Sequence, residues 1–225
     1  MRITVIIPAL NEAQAILGSL ESVTRQQGEF EIIVVDGQSA DGTADIARRH
    51  ARVIRSELRG RAIQMNAGAR HASGEALVFL HADSCLPRNA LSMLRSALAD
   101  PDIAGGTFTL RFDSPQFLLR LIAFFTRFRF RFFHYGDQGI FVRRAVFEEL
   151  GGFKQMPLME DIDFLRRMRK RGRVTLVRAP VTTSARRFLR HGIIRQQMLD
   201  ILLVVLFLLG VSPEALSKLY GRTSR

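Results

Sequence analysis

Two short stretches of this sequence carry side chains that can do chemistry. In ALVFLHADSCLP, residues 76–87, an apolar run from Ala76 to Leu80 ends abruptly in His81-Ala82-Asp83-Ser84. Residues 81 and 83 of an extended segment point the same way, so an imidazole and a carboxylate face one ligand. In LMEDIDF, Glu160, Asp161 and Asp163 put three carboxylates within four residues. Clustered like charges raise one another's pKa, which suits at least one of them to accept a proton near neutrality. The plainer alternatives are a turn or helix cap before Pro87 for Asp83, and an acidic helix start for residues 160–163, where carboxylates complement the helix dipole. The following DFLRRMRKRG reads as a helix ending at Gly172, so that plainer reading suits Asp163.

Something must hold these groups in place. The first half of the chain alternates. Strands are expected at Ile3–Ile7, Phe30–Val35, Arg52–Arg55 and Ala76–Leu80. Helices are expected at Glu12–Gln26, Thr43–Ala51, Gly60–Ala72 and Asn89–Leu98. Such alternation predicts a mostly parallel sheet with helices on its faces, and ligands of such sheets bind beyond the carboxyl ends of the strands. Three of those ends carry polar residues: Pro8-Ala9-Leu10-Asn11-Glu12, Asp36 to Thr43, and His81 to Ser84. Ser39 and Asp41 read as caps, with Gly37 and Gly42 serving the turn. Asp36 closes its strand too far upstream to cap the next helix, and its carboxylate can accept from a base N–H or a sugar hydroxyl.

Composition narrows the partners. A chain of 225 residues, 47% hydrophobic, suits one domain, or one domain with an appendage. The net charge of +12 is carried almost wholly by arginine, which favours phosphate, anionic lipid or nucleic acid. The single Cys85 excludes an intrachain disulfide and a multi-cysteine zinc site. The start, MRITVIIPALNEA, lacks the marks of a secretory signal. A cytoplasmic protein is expected. Ile201 to Leu209 is continuously apolar but far short of the roughly 20 residues of a membrane span. A buried helix, a homodimer face and an interfacial helix stay open for it. FLLRLIAFFTRFRFRFFHY, residues 117–135, is very apolar as a helix, yet alternates strictly from Arg127 to Phe132 like a strand. No nucleic-acid motif accompanies it, so no nucleic-acid partner is expected. With Arg186, Arg187, Arg190 and Arg195 it fits a peripheral contact with the inner face of the cell membrane.

VIIPALNEA, EIIVVDGQSADGTADIA and VFLHADS, in this order, followed by GDQGIFVRRAVFEELGGF and MEDIDFLRRMRKRGRV, resemble the family 2 glycosyltransferases of GT-A fold. RGRAIQMNAGA, a histidine in the metal motif and TSARRF resemble a short bacterial subgroup associated with radical-SAM or selenium-related gene sets. The resemblance implies an α/β GT-A domain over residues 1–185. Its nucleotide-binding half covers about 1–100 and its acceptor half about 101–185, and a helical appendage follows over 186–225. It implies inverting transfer of a sugar from a nucleotide-diphosphate donor, commonly a UDP-sugar, to the hydroxyl of a small-molecule or lipid-linked acceptor. Asp36 would contact the base, while Pro8, Leu10 and Glu12 would line the base and ribose pocket. Arg61, Gln64 and Ala82 would face the donor. Gly136, Asp137 and Gln138 would floor the sugar and acceptor site beside Glu160, with Asp161 as the base. The family's DxD motif reads His81-Ala82-Asp83 here, so Mn²⁺ or Mg²⁺ would sit on Asp83. His81 would either ligate as well or hydrogen-bond the sugar or a carboxylate. Two rivals stand beside this reading. One is a catalytically inactive protein binding nucleotide or a membrane surface. The other is a Rossmann oxidoreductase, disfavoured because PALNEA stands where a G-x-G-x-x-G would follow the first strand.

Overall fold

The apolar runs of the first eighty residues form the parallel half of one sheet in a computed structural model of the chain, which describes residues 1–127 and 138–223. Strands β1 (Ile3–Ala9), β2 (Phe30–Asp36), β3 (Arg52–Arg55) and β4 (Ala76–Phe79) lie parallel in the order β3-β2-β1-β4. Helices α1 (Ile16–Thr24), α2 (Thr43–Arg48) and α3 (Arg61–Arg70) make the crossovers. Every residue of β1 is buried, as expected of a strand covered on both faces. The first helix is shorter than expected. The Glu12 carbonyl accepts from the N–H groups of Ala15 and Ile16, and a turn occupies residues 13–15. The N–H of Glu12 donates to the Thr43 hydroxyl at 2.8 Å, so the residue belongs to the sheet edge. Gly68 lets α3 press onto the sheet: a Cβ there would lie 2.5 Å from Ile6 Cγ2.

Beyond β4 the sheet becomes mixed. Strand β7 (Ile140–Arg143) runs antiparallel to β4, and β6 (Ile103–Phe112) antiparallel to β7. Strand β8 (Arg173–Thr183) is parallel to β6, and the two-residue β5 (Ser84–Cys85) pairs with the end of β8. Of these strands β7 has the plainest sequence signal, the short apolar run Ile140 to Val142. Strand β6 contains Gly105-Gly106 because backbone closes on both sides. A Cβ on Gly106 would lie 2.2 Å from the Thr175 carbonyl oxygen, and one on Gly105 would lie 2.3 Å from that of Phe141.

The remaining helices cover the sheet. One hydrophobic cluster includes residues of α1 and α4 (Ala90–Ala97), and another residues of α3, α6 (Arg144–Glu149) and α7 (Glu160–Arg171). In the second cluster Phe79, at the end of β4, meets Phe153 edge-on at 4.8 Å, and Phe153 lies 4.5 Å from Phe164 of α7. These rings tie the start of α7 to the end of β4, the two places that carry the candidate chemistry. Phe164→Ala should therefore cost roughly 3–5 kcal/mol, the usual range for emptying a buried phenylalanine site. The midpoint of denaturant unfolding checks it.

Residues 117–125 form helix α5 (Phe117–Phe125). The alternation expected from Arg127 to Phe132 lies outside the described residues after Arg127. Helices α8 (Arg186–His191), α9 (Ile193–Leu208) and α10 (Pro213–Thr223) end the chain. Phe188 of α8 packs edge-on against Phe112 of β6 at 5.1 Å, joined by Leu119 and Ala123 of α5. Leu203 and Val204 of α9 are buried, whereas Ile194, Met198, Leu202 and Leu209 stay exposed, as do Phe117, Phe124 and Phe125 of α5. No described helix is long and apolar enough to cross a membrane.

Candidate active site

Two strand ends and one helix start converge on a cleft of about 660 Å³. After β1, Pro8, Leu10 and Glu12 line it; after β4, His81, Ala82 and Asp83 do; Arg61 and Gln64 reach it from the first turn of α3. Eight residues expected at the site thus share one cavity. Thr183, Ser184 and the arginines of α8 close its far side. In the sequence Arg186 and Arg187 read as part of a membrane-facing basic cluster, and Thr183, Ser184, Phe188 and His191 carry no signal of a site. They arrive because β8 ends beside β5: the Ser84 hydroxyl donates to the Thr183 hydroxyl at 2.9 Å, and the Ser184 N–H donates to the Asp83 carbonyl at 3.2 Å.

Charge inside the cleft is paired. Arg186 donates to Glu12 Oε2 at 2.7 Å and lies 3.6 Å from Asp83 Oδ2. The hydrogen bond to Glu12 holds the guanidinium's pKa above its ordinary value. Arg61 donates from Nε to the buried carboxylate of Glu160. Its Nη1 lies 3.3 Å from His81 Nε2. A guanidinium only donates, so a hydrogen bond across this contact requires Nε2 of His81 as the acceptor. Arg61 therefore bridges the His81–Asp83 edge and the start of α7.

Gln64 lines the cleft, but its side-chain amide is committed, donating to the carbonyls of Ala9 at 2.9 Å and Val35 at 2.8 Å. It clamps the ends of β1 and β2 together. Asp36 is buried at the end of β2 and accepts from the Ser39 N–H at 3.3 Å. It lines a neighbouring cavity of about 350 Å³ with Ser39, Asp45, Arg48 and Arg55, and stands beside its strand partner Ala9, which lines the main cleft. Asp41 caps the start of α2 from one position before the Gly42 N-cap: its Oδ1 accepts from the Thr43 N–H at 3.1 Å, while its Oδ2 accepts from the Ala13 N–H. Ser39 instead accepts from the Asn11 N–H, and the two together fix the loop after β1. Gln138 is fully buried before β7. Gly136 and Asp137 lie outside the described residues. The Cys85 thiol is pushed up in pKa by burial, which leaves it a poor nucleophile.

Glu160 and Asp161 line a second, adjoining pocket of about 250 Å³. Gly60, Arg61, Arg187 and Phe188 belong to both spaces. Asp161 is 8% exposed, and its Oδ1 accepts from the Ile162 N–H at 2.8 Å. The residue before the pair, Met159, has φ 70°, an unusual left-handed conformation for methionine. It turns the chain sharply into α7. Asp163 takes no place in either space. It pairs with Arg167 at 2.7 Å and Lys154 at 3.0 Å. Among the described residues no group of three or more His, Cys, Asp or Glu side chains could by itself hold a metal.

Comparison with known proteins gives these spaces a context. The sequence model of the family described as Glycosyl transferase family 2 matches residues 4–189. The chain is 31% identical over 179 residues to a PGL/p-HBAD biosynthesis glycosyltransferase of Mycobacterium bovis, covering 72% of this chain and 67% of that one. It is 38% identical over 95 residues to glycosyltransferase AglE of Haloferax volcanii, covering 38% of this chain and 31% of that one. Two solved structures share the GT-A fold. TarS of S. aureus superposes with a TM-score of 0.69 at 18% identity, over 87% of this chain and 39% of its own. The mannosyltransferase PcManGT from Pyrobaculum calidifontis, in complex with GDP-Man and Mn²⁺, superposes with 0.66 at 25% identity, over 94% of this chain and 66% of its own. The chain thus spans about a third of the length of AglE and two thirds of that of the mycobacterial relative.

Proposed function

The chain belongs to glycosyl transferase family 2, and from that premise we propose that it moves a sugar from a nucleoside diphosphate, UDP favoured, to an acceptor hydroxyl with inversion. One observation carries the reading. Arg61 touches both His81 and Glu160, so one side chain links the donor cleft to the pocket holding Asp161, with Arg187 and Phe188 also bordering both. The reacting carbon of a donor in the cleft belongs at that junction.

The bond changes follow from the two spaces. The acceptor oxygen attacks the anomeric carbon while Asp161 accepts the hydroxyl proton. The bond from that carbon to the diphosphate breaks, and the nucleoside diphosphate leaves with the electron pair. Attack opposite the leaving group inverts the anomeric centre. Negative charge grows on the diphosphate, and Arg186 and Arg61 stand where guanidiniums would stabilise it. Pro8 and Leu10 offer an apolar wall for the base. The carboxylate of Asp83 fits a hard divalent cation, Mn²⁺ or Mg²⁺, whose remaining ligands would be phosphate oxygens and water. Nε2 of His81 lies 3.3 Å from Arg61 Nη1, which suits it to hydrogen bonding better than to ligation. When bound, the cation would supply further neutralisation of the leaving diphosphate.

A panel of sugar nucleotides with and without Mn²⁺ tests this, read by thermal shift and by release of nucleoside diphosphate. A true donor at 100 times its Kd should add about 2.7 kcal/mol to the folded state, and chelating the metal should shrink that shift. If no sugar nucleotide raises Tm or is turned over, the proposal fails.

A further inference from the structure

The pocket beside Asp161 has walls of a character that the transfer reaction alone does not require. Leu110 of β6, Ile122 of α5, Leu158 of the loop before α7, and Leu203 and Val204 of α9 surround the carboxylates. Most polar groups that reach it are tied to one another; the exception is Gln197, whose buried Nε2 has no hydrogen-bond partner among the described residues. Glu160 pairs with Arg61, and Arg187 pairs with Asp200 at 3.2 Å and donates to the Tyr220 hydroxyl at 3.4 Å. A sugar or polyol entering here would bury several hydroxyls against side chains already engaged, and each unpaired hydroxyl is penalised. An alcohol with a single hydroxyl on an apolar body makes no such demand, because Asp161 can accept its one hydrogen bond. Size agrees. An apolar cavity of about 150 Å³ takes a benzene ring, and this pocket of about 250 Å³ has room for a ring or a short branched chain.

Resting on the transferase reading, we infer that this pocket is the acceptor site and that it selects a hydroxyl carried on an apolar alkyl, prenyl or aryl body. The C-terminal helices then contribute specificity: α9 forms the apolar wall, and α10 presents Tyr220 at the rim.

Geraniol, an apolar primary alcohol, serves as the probe, with glucose as its polar counterpart. Calorimetry on the full chain without donor should show geraniol binding and no glucose binding at the same concentrations. Leu158→Glu puts a charge on the wall, and Ile122→Trp fills the space from a partly buried position. Each should weaken geraniol at least roughly tenfold, the usual scale for disturbing a hydrophobic subsite, while leaving the donor-induced thermal shift unchanged. With donor present, geraniol should accelerate nucleoside diphosphate release and glucose should not. Equal binding of glucose, or variants that bind geraniol as the parent does, would overturn the inference. Because binding is measured without donor, that result is separable from failure of the transferase reading, which shows as the absence of any donor response.

Discussion

Asp161→Asn should keep donor binding and lose turnover by about 10²- to 10⁴-fold, the range a positioned general base supplies. The substitution nearly preserves shape. An asparagine oxygen can still accept from the Ile162 N–H, as Asp161 Oδ1 does at 2.8 Å, so the start of α7 keeps its geometry. What disappears is an oxygen able to take the acceptor's proton. Asp163→Asn is the matched control. Its carboxylate sits three positions from Glu160 in the same acidic cluster but is spent on Arg167 and Lys154. It should leave kcat near the parent value. Steady-state kinetics beside donor thermal shifts separate the two cases. Turnover in Asp161→Asn within a few-fold of the parent would remove the base and revive the alternative of an inactive binding protein.

The position of Asp161 is set by distant parts of the chain. Met159 holds a left-handed backbone of the kind that costs of order 1–3 kcal/mol. The Phe79, Phe153 and Phe164 rings beneath and the Glu160–Arg61 pair beside it offset that cost. Residues in sparsely populated backbone regions cluster where function demands them. Here the turn delivers two consecutive acids, Glu160 toward Arg61 and Asp161 into the apolar pocket.

Much of the main cleft was legible in the sequence. Pro8 to Glu12 and His81 to Asp83 follow buried strands directly, and in a parallel sheet such strand ends share one edge. Other parts were illegible for identifiable reasons. The commitment of the Gln64 amide to the Ala9 and Val35 carbonyls depends on how closely α3 approaches the sheet. Asp36 faces the Ser39 N–H and a side cavity, a rotamer choice that periodicity does not encode. Strands β6 and β8 hide behind glycines, arginines and a proline, because their burial comes from neighbouring strands. The pocket beside Asp161 is assembled from β6, α5, the loop before α7 and two terminal helices. No local pattern joins such segments. Arg61 and Glu160 are 99 positions apart, and only the folded chain makes them one device.

Arg186→Ala separates a structural strut from a participant in the reaction. Arg186 spans Glu12 at 2.7 Å and Asp83 at 3.6 Å. Its side chain is half exposed, so the pairing is worth at most about 1 kcal/mol, and the variant should unfold almost where the parent does. Turnover should nevertheless fall by about 10²-fold, because a cation aimed at developing charge acts mainly in the transition state. Arg186→Lys should recover part of the loss, since it keeps the charge but gives up the two-pronged donor geometry. The pH profile adds a check of sign. The Arg186 pKa is raised by Glu12. A group raised in the folded state contributes fully below its ordinary pKa and loses that contribution only above the raised one. For an arginine that loss lies beyond any working pH, so the parent-to-variant ratio of kcat should not change on the alkaline side. If the proposed cation binds Asp83, guanidinium and cation would compete for that carboxylate, so Arg186→Ala should lower the Mn²⁺ concentration needed for half-maximal activity. A Tm loss of many degrees with kcat preserved would make Arg186 a strut and return the diphosphate to Arg61 and the metal alone.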